Sequence, residues 1–119
     1  MSPSEPGCIF CRIASGEIPA KVVARTEYAL AFHDLTPKAP VHVLVIPTSH
    51  LGSAVEATGM EGELLLGRVM ALAVETASQL GLAGEGYRLV INTGANGGQS
   101  VGHLHVHLLG GRQMHWPPG

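Results

Sequence analysis

Three histidines alternate with apolar residues near the end of the chain: His103, His105 and His107 are separated by Leu104 and Val106. Strict alternation of this kind is typical of a half-buried strand, whose successive side chains point to opposite faces. We therefore expect a strand that presents three imidazoles on one face. A neutral imidazole can attack phosphorus directly and form a covalent intermediate that water later clears.

The three histidines allow two other interpretations. A strand rises about 3.3 Å per residue, so the Cα atoms of His103 and His107 would lie roughly 13 Å apart, whereas zinc needs each ligand nitrogen within about 2.1 Å. Two neighbouring histidines could share a metal ion, but the spacing does not suit a site made by all three. A solvated face without a function is the remaining interpretation, and the glycines that precede the histidines disfavour it.

A glycine-rich segment lies immediately before the histidines and is suited to binding phosphate. Gly97 and Gly98 let backbone N–H groups approach phosphate oxygens without a Cβ in the way, and Gln99 and Ser100 can add side-chain hydrogen bonds. No Gly-Lys-Ser/Thr follows, which excludes a Walker A loop. Residues 92–109 contain no Lys or Arg, which suits a phosphodiester or phosphoramidate better than a triphosphate.

Length and composition predict one domain, residues 8–119, after a flexible tail of residues 1–7. Hydrophobic residues make up 45% of the 119 residues and charged residues only 13%, so some apolar surface is expected in a subunit interface. The net charge is −2, with no basic run, which excludes a nucleic acid or an anionic membrane as partner. We see no signal peptide and no apolar run of the ~20 residues that span a bilayer, so a cytoplasmic location is expected.

Hydrophobic periodicity and turn residues predict the elements that must position the histidines. Strands are expected at residues 21–25, 28–34, 40–47 and 87–92, in addition to the histidine strand. One long helix follows the capping-box sequence Thr58-Gly59-Met60-Glu61 and ends at Gly81, a natural C′ residue. A second apolar stripe on this helix, with Leu64, Met70 and Val74, favours a dimer contact.

Cys8 and Cys11 form a Cys-x-x-Cys motif near the start of the chain. In the compartment expected here, two such cysteines are metal ligands or free thiols rather than a structural disulfide. A thioredoxin-type redox motif would need a βαβ context, whereas strands without a crossover helix follow here. A zinc site needs two further ligands, which the spacing alone does not identify.

Several segments together resemble a known family. Gly97 to Leu109 resembles the His-φ-His-φ-His-φ-φ signature of the histidine-triad (HIT) superfamily, φ being apolar, and residues 110–119 resemble the C-terminus of its Hint branch, the purine nucleoside phosphoramidases. Cys8-Ile9-Phe10-Cys11, Ala31-Phe32-His33-Asp34 and Val45-Ile46-Pro47 match in the same order. The resemblance implies an α+β fold with a five-stranded antiparallel sheet, one long helix and a short N-terminal helix, the sheet being extended across a homodimer.

The resemblance also implies a role for each site residue. His105 would be the nucleophile, His107 would position the phosphate, His42 would support proton transfer, and Ser100 would hydrogen-bond the leaving amine. Nucleotide contacts would come from Asp34, Asn92, Gly98, Gln99, Ser100 and His107, with Ile9, Phe10, Phe32 and Leu35 around the base. A structural zinc ion would be held by Cys8, Cys11, His50 and His103, and no cofactor would be required for catalysis. Of the other histidines, His33 and His115 receive no role.

The reaction implied is hydrolysis of the P–N bond of purine nucleoside 5′-phosphoramidates, or cleavage of acyl-nucleoside monophosphates, through a nucleotidyl-histidine. Gly102 departs from the pattern, because Hint-like sequences often carry an aromatic residue at this position. The lack of an aromatic side chain here would widen the pocket. Two hypotheses of other classes stay open at this point. One is a zinc-dependent hydrolase that uses the histidines as ligands, and the other is a purine-nucleotide-binding regulator or scaffold with little turnover.

Overall fold

The computed structural model of this chain describes residues 4–119 and contains an α+β domain. Its five strands form one antiparallel sheet in the order β1-β2-β3-β5-β4. The elements, in chain order, are α1 (Ile9–Ala14), β1 (Val22–Arg25), β2 (Ala29–His33), β3 (Val41–Pro47), a 3-10 turn (Ala54–Glu56), α2 (Gly59–Gln79), β4 (Tyr87–Ile91), α3 (Gly94–Gly97) and β5 (Val106–Gly110). The predicted fold class, with one long helix and a short N-terminal helix, is confirmed.

The central strand β3 is covered on both faces, which explains its nearly continuous apolar sequence. Val43 and Val45 point to the face under α2, where the largest core cluster lies. Leu44 and Ile46 point to the opposite face, under α1, in a second cluster. His107 is paired with Leu44 across the ladder and so lies on the α1 face. The candidate site is therefore on the side of the sheet away from the long helix.

The long helix begins and ends where the sequence predicts, but its predicted cap is wrong in detail. Thr58 occupies the N-cap position without a side-chain capping bond. The physical reason is that Gly59, the next residue, has a φ of +69°, so the chain enters the helix through a left-handed residue that does not aim the Thr58 hydroxyl at the first turn. At the other end Gly81 has a φ of +76° and follows the C-cap Leu80, as expected of a C′ glycine.

The predicted histidine strand is shorter than the alternation indicates. β5 begins at Val106, so His103 and His105 precede it in a bent segment. Val106 is paired with Val45 and with Ile91, and Ile91 is the last residue of β4. Among the residues that the structure describes, no strand lies on the β4 side of the segment before Val106, and the backbone N–H of Leu104 donates to the carbonyl of Leu51 instead of to a strand.

The predicted dimer surface is exposed in the isolated chain. β4 is the edge strand of the sheet, and on α2 the side chains of Leu64 and Val74 are both about half exposed. These features agree with a subunit contact, which stays a prediction. No helix within the described range is long and apolar enough to cross a membrane. Residues 1–3 of the predicted tail lie outside the described residues.

Candidate active site

A cavity of about 350 Å³ opens between α1 and the α1 face of the sheet. It brings together many of the residues singled out in the sequence. The apolar ones are Ile9, Phe10, Phe32 and Leu35, and the polar ones are Asp34, Ser100, His105 and His107. Phe10 and Phe32 are buried and meet edge to face, whereas Leu35 is 92% exposed and lies at the rim. The arrangement offers an apolar recess with polar groups at one end, as small-molecule sites commonly do.

His105 is the triad histidine whose hydrogen bonding leaves one nitrogen free in this cavity. Its Nδ1 lies 2.8 Å from the carbonyl oxygen of His103, and a carbonyl only accepts, so Nδ1–H is the donor. In the neutral ring, Nε2 then carries the lone pair. His105 is only 4% exposed, and its ring packs edge to face on Phe10. The protein thus fixes the tautomer that a nitrogen nucleophile requires.

His42 and His107 have tautomers fixed in the same way. The backbone N–H of Lys38 donates to His42 Nδ1 at 3.0 Å, so His42 carries its proton on Nε2. That Nε2 lies 2.9 Å from His107 Nδ1 and donates to it. The proton of His107 is therefore on Nε2, where it can be donated to a phosphate oxygen in the cavity.

Burial keeps these two histidines uncharged. Loss of hydration lowers the pKa of His107 to about 4, with smaller contributions from neighbouring His105 and His42, and nearby Asp34 opposes the shift. Burial likewise lowers the pKa of His42, against the attraction of Asp34. The approach of His42 Nε2 to Asp34 Oδ2, at 3.5 Å, is therefore a polar contact of a neutral ring at pH 7 and not an ion pair.

Asp34 follows β2 and serves the turn that leaves it. Its Oδ1 accepts the backbone N–H of Thr36 at 2.7 Å, which is the turn role expected of an aspartate at this position. Asp34 also lines the cavity, and a carboxylate oxygen lies within 4.8 Å of a ring nitrogen of His107. The remaining lone pairs of the carboxylate can accept further hydrogen bonds, such as those of two sugar hydroxyls.

The predicted phosphate loop is more structured than its glycines indicate. Residues Gly94–Gly97 form one helical turn, which Gly98 ends with a φ of +74°. The backbone N–H groups of Gly98 and Gln99 donate back into this turn at 3.1 Å each. The Gln99 side chain is also engaged, since its Nε2 donates to Gly52 O and Val101 O and its Oε1 accepts from Gly94 N.

The predicted loop residues therefore fall into two groups. Gln99 braces the loop, and neither Gln99 nor Gly98 nor Asn92 lines the cavity. Ser100, which is exposed, does line it. A Cβ at Gly102, two residues after Ser100, would meet no atom within 4 Å, so the space at Gly102 itself is open.

The four residues implied as metal ligands are brought together next to the cavity. His103 Nδ1 lies 3.2 Å from Cys8 Sγ and 3.4 Å from Cys11 Sγ, and His50 Nδ1 lies 3.3 Å from Cys11 Sγ. His103 Nε2 donates to the carbonyl of Pro47 at 3.0 Å, which turns the lone pair of Nδ1 towards both sulfurs. Two sulfurs and two nitrogens within 4.8 Å of one another could hold a metal ion in the tetrahedral arrangement typical of closed sites.

A second group, Asp34, His42 and His107, also falls within 4.8 Å. Its geometry is that of a hydrogen bond. The rings of His42 and His107 have centroids 5.2 Å apart with the nitrogens 2.9 Å apart, so the two nitrogens point at each other along one line. Ligands of one ion must instead aim at a common point beside that line. The hypothesis of a catalytic metal held by these histidines is therefore not favoured.

The structure places at the site two groups that the sequence does not single out. His33, to which the family resemblance assigns no role, lines the cavity beside Asp34. The backbone N–H of Lys38 fixes the tautomer of His42. Position next to Asp34 was the available signal for His33, whereas a backbone donor leaves no signature in a sequence.

Comparison with known proteins identifies the family of this chain. The sequence model of the HIT domain family matches residues 15–114. The chain is 50% identical over 119 residues to the adenylylsulfatase HINT1 of Arabidopsis thaliana, covering 99% of this chain and 80% of that protein. An uncharacterised HIT-like protein of Synechococcus elongatus is 52% identical over 111 residues, covering 93% of this chain and 96% of that protein.

A solved structure gives the same result. The HIT family hydrolase from Legionella pneumophila Philadelphia 1 superposes with a TM-score of 0.90 at 48% identity, covering 95% of this chain and all of that one. The chain therefore belongs to the HIT domain family, as its motifs predicted. Its similarity to HIT family hydrolases supports a hydrolase activity.

Proposed function

We propose that this protein hydrolyses the P–N bond of purine nucleoside 5′-phosphoramidates, and related acyl-nucleoside monophosphates, to a nucleoside monophosphate. One observation carries the proposal. His105 Nδ1–H is bound to the His103 carbonyl at 2.8 Å, so Nε2 is the nitrogen left for the cavity. A buried imidazole held in this tautomer is prepared to attack phosphorus.

In the first step His105 Nε2 attacks the α-phosphorus and the P–N bond breaks, which gives a nucleotidyl-histidine. The Ser100 hydroxyl hydrogen-bonds the leaving nitrogen, which takes a proton from solvent by way of that hydroxyl and departs as an amine. His107 Nε2–H donates to a non-bridging phosphate oxygen. His42 keeps the Nδ1 of His107 in its accepting state and can exchange a proton with it over 2.9 Å.

In the second step water attacks the phosphorus from the side that the amine has left. The bond from phosphorus to Nε2 breaks, the lone pair returns to His105, and the proton of the water passes to solvent. The nucleoside monophosphate is released. These two reaction steps need only side chains that line the cavity or contact its histidines. No catalytic cofactor is therefore part of the proposal.

Recognition of the nucleoside follows from the lining of the cavity. We place the purine among Ile9, Phe10 and Phe32, with Leu35 closing the rim, and the ribose hydroxyls on Asp34. Of the predicted loop contacts, Ser100 is retained as the direct one. Gly98 and Gln99 act by shaping the turn, because their backbone N–H groups and the Gln99 side chain bond within the loop. The contact predicted for Asn92 stays a prediction.

The name of the plant relative supports attack at an adenylyl phosphorus, since an adenylylsulfatase separates an adenylyl group from sulfate. The nucleophile and the nucleotide pocket would be the same for a nitrogen or a sulfate leaving group. Substrates with different leaving groups are therefore part of the same proposal.

Zinc and a homodimer complete the proposal. Two thiolates and two imidazoles suit zinc among the common ions, and a closed site of this kind stabilises the fold around it. We propose that a second copy covers the edge strand β4 and the exposed apolar residues of α2. The cytoplasmic location predicted from the sequence stays a prediction.

The test is release of amine from adenosine 5′-phosphoramidate by the wild type and by His105→Ala, each checked for folding. We expect release by the wild type and a loss of at least about a thousandfold in the variant, since removal of a nucleophile leaves only binding and hydrogen bonding. Binding of adenosine monophosphate without any release by the wild type would instead support a nucleotide-binding regulator.

A further inference from the structure

The segment that carries the proposed nucleophile is not part of the sheet. β5 begins at Val106, one residue after His105. The backbone N–H of Leu104 donates to the carbonyl of Leu51, and both of these side chains are buried in a small cluster of their own. The position of His105 must therefore be set by contacts that the strand ladder does not provide.

His103 is fixed on three sides and supplies much of that support. Its Nε2 donates to Pro47 O at 3.0 Å, its Nδ1 faces the sulfurs of Cys8 and Cys11, and its carbonyl accepts from His105 Nδ1 at 2.8 Å. The residue is completely buried. One residue thus connects the four candidate metal ligands, through its ring, to the proposed nucleophile, through its backbone carbonyl.

A second connection runs through helix α1. Phe10 lies between the two cysteines in the sequence, and its ring is 5.9 Å from the ring of His103 and 5.2 Å from that of His105, edge to face in both cases. Phe10 also lines the nucleotide cavity. At the start of this helix the Cys8 sulfur accepts a hydrogen bond from the backbone N–H of Cys11 at 3.3 Å. The two cysteines therefore also help to fix the position of Phe10.

We propose that His103 is a positioning residue: a metal ion held by Cys8, Cys11, His50 and His103 locks the carbonyl that selects the reactive tautomer of His105. The inference rests on the proposed function for its catalytic consequence. Without the ion, the ring of His103 keeps the Pro47 bond but loses the ligand that fixes its other nitrogen. The carbonyl then moves, and His105 samples the tautomer with its proton on Nε2, which cannot attack phosphorus.

The test compares zinc-loaded wild-type protein with the same protein stripped by a chelator and freed of it. Long-range proton–nitrogen NMR spectra report the tautomer of His105, and metal analysis reports occupancy. We expect one tautomer, with Nδ1 protonated, in the loaded form and a mixture in the stripped form. We also expect kcat for adenosine 5′-phosphoramidate to fall about tenfold or more on stripping and to return with zinc but not with magnesium.

Three variants distinguish positioning of His105 by the metal site from a general loss of protein stability. His50→Gln removes a partly exposed ligand that touches neither the cavity nor His105, so it should weaken zinc binding and reproduce the mixture as zinc is withdrawn. His50→Cys keeps a ligand and should restore the single tautomer. Leu72→Ala lowers stability from the core under α2, away from the cluster, and should keep the single tautomer at full zinc occupancy.

Several results would overturn the inference. These are a folded, stripped protein that retains a single His105 tautomer, a protein that takes up no zinc, and a Leu72→Ala variant that shows the same mixture with zinc bound. If removal of zinc unfolds the wild type, the His105 tautomers of His50→Gln and His50→Cys decide whether the inference holds. Failure of both forms to release amine would instead refute the proposed function, and the tautomer comparison would still decide this inference.

Discussion

Nε2 of His42 lies 2.9 Å from Nδ1 of His107, and the two rings point at each other along the line that joins these atoms. The contact follows from sheet geometry, because His42 on β3 and His107 on β5 lie on the same face two residues apart in register. The Lys38 N–H fixes the direction of the proton in this contact. The orientation of His107 towards a bound phosphate therefore depends on a residue 65 positions away.

Replacing His42 tests this dependence. In His42→Phe the ring of His107 loses its donor, so the proton of His107 no longer stays on the nitrogen facing the phosphate. We expect kcat to fall about a hundredfold, in the range of general acid–base contributions, with little change in the dissociation constant of adenosine monophosphate. His115→Phe, an exposed histidine outside the cavity, is the matched control. A loss of binding equal to the loss of kcat would contradict the role assigned to His42.

The pH dependence of stability tests the burial of His107. Its pKa is about 4 in the folded protein and near 6.5 in an unfolded chain. Between these values the unfolded chain binds more protons, so the free energy of unfolding falls as the pH drops from about 6.5 to about 4, and below that this group adds no further loss. Urea unfolding across this range should show a shallower fall for His107→Gln than for the wild type. Parallel curves would mean that His107 titrates normally.

Asp34 is predicted to bind ribose hydroxyls with its carboxylate. Asp34→Asn replaces two accepting oxygens with one and removes the charge, so KM should rise about tenfold or more, the range for a hydrogen bond to a charged group. The same variant should show little change with a 2′,3′-dideoxy substrate, which lacks the hydroxyls. An equal rise with both substrates would assign Asp34 to the turn alone, where its Oδ1 already accepts from Thr36.

Substitutions of Leu30 and Leu35 distinguish a role in the core from a role in the pocket. Leu30 is completely buried in the cluster beneath α1, so Leu30→Ala should lower the free energy of unfolding by about 2–5 kcal/mol. Leu35 is 92% exposed at the rim, so Leu35→Ala should change stability by less than about 0.5 kcal/mol while raising KM. Thermal unfolding and steady-state kinetics of the two variants check both statements. A large loss of stability in Leu35→Ala would place it in the core.

The sequence was sufficient for the fold class, for the order of the strands along the chain and for about half of the residues that line the cavity. Alternation and apolar runs reflect burial directly, and the resemblance to the HIT family implied that Asp34, Ser100 and the last two triad histidines belong to one site. It was misleading at His103 and His105, where alternation continues past the end of the neighbouring strand β4. A side-chain pattern does not reveal where a partner strand stops.

The sequence does not reveal other features of the site because they depend on hydrogen bonds to backbone groups. The tautomers of His42 and His105 depend on a backbone N–H and a carbonyl, which every sequence contains. The side-chain amide of Gln99 could hydrogen-bond a phosphate, yet it forms hydrogen bonds with three backbone groups of the surrounding loops. The missing cap at Thr58 likewise depends on the φ of Gly59. In each case the residue type allows several partners and only the folded chain selects one.

The central claim is that His105 Nε2 forms a covalent bond to the nucleotide phosphorus. The most direct measurement is to mix the wild type with adenosine 5′-phosphoramidate, quench within the first turnover under alkaline denaturing conditions that preserve phosphohistidine, and map the modified peptide by mass spectrometry. The account predicts one adenylyl group on His105, and none on the His105→Ala protein. An adenylyl group on another residue, or a burst of amine release without any modified protein, would contradict it.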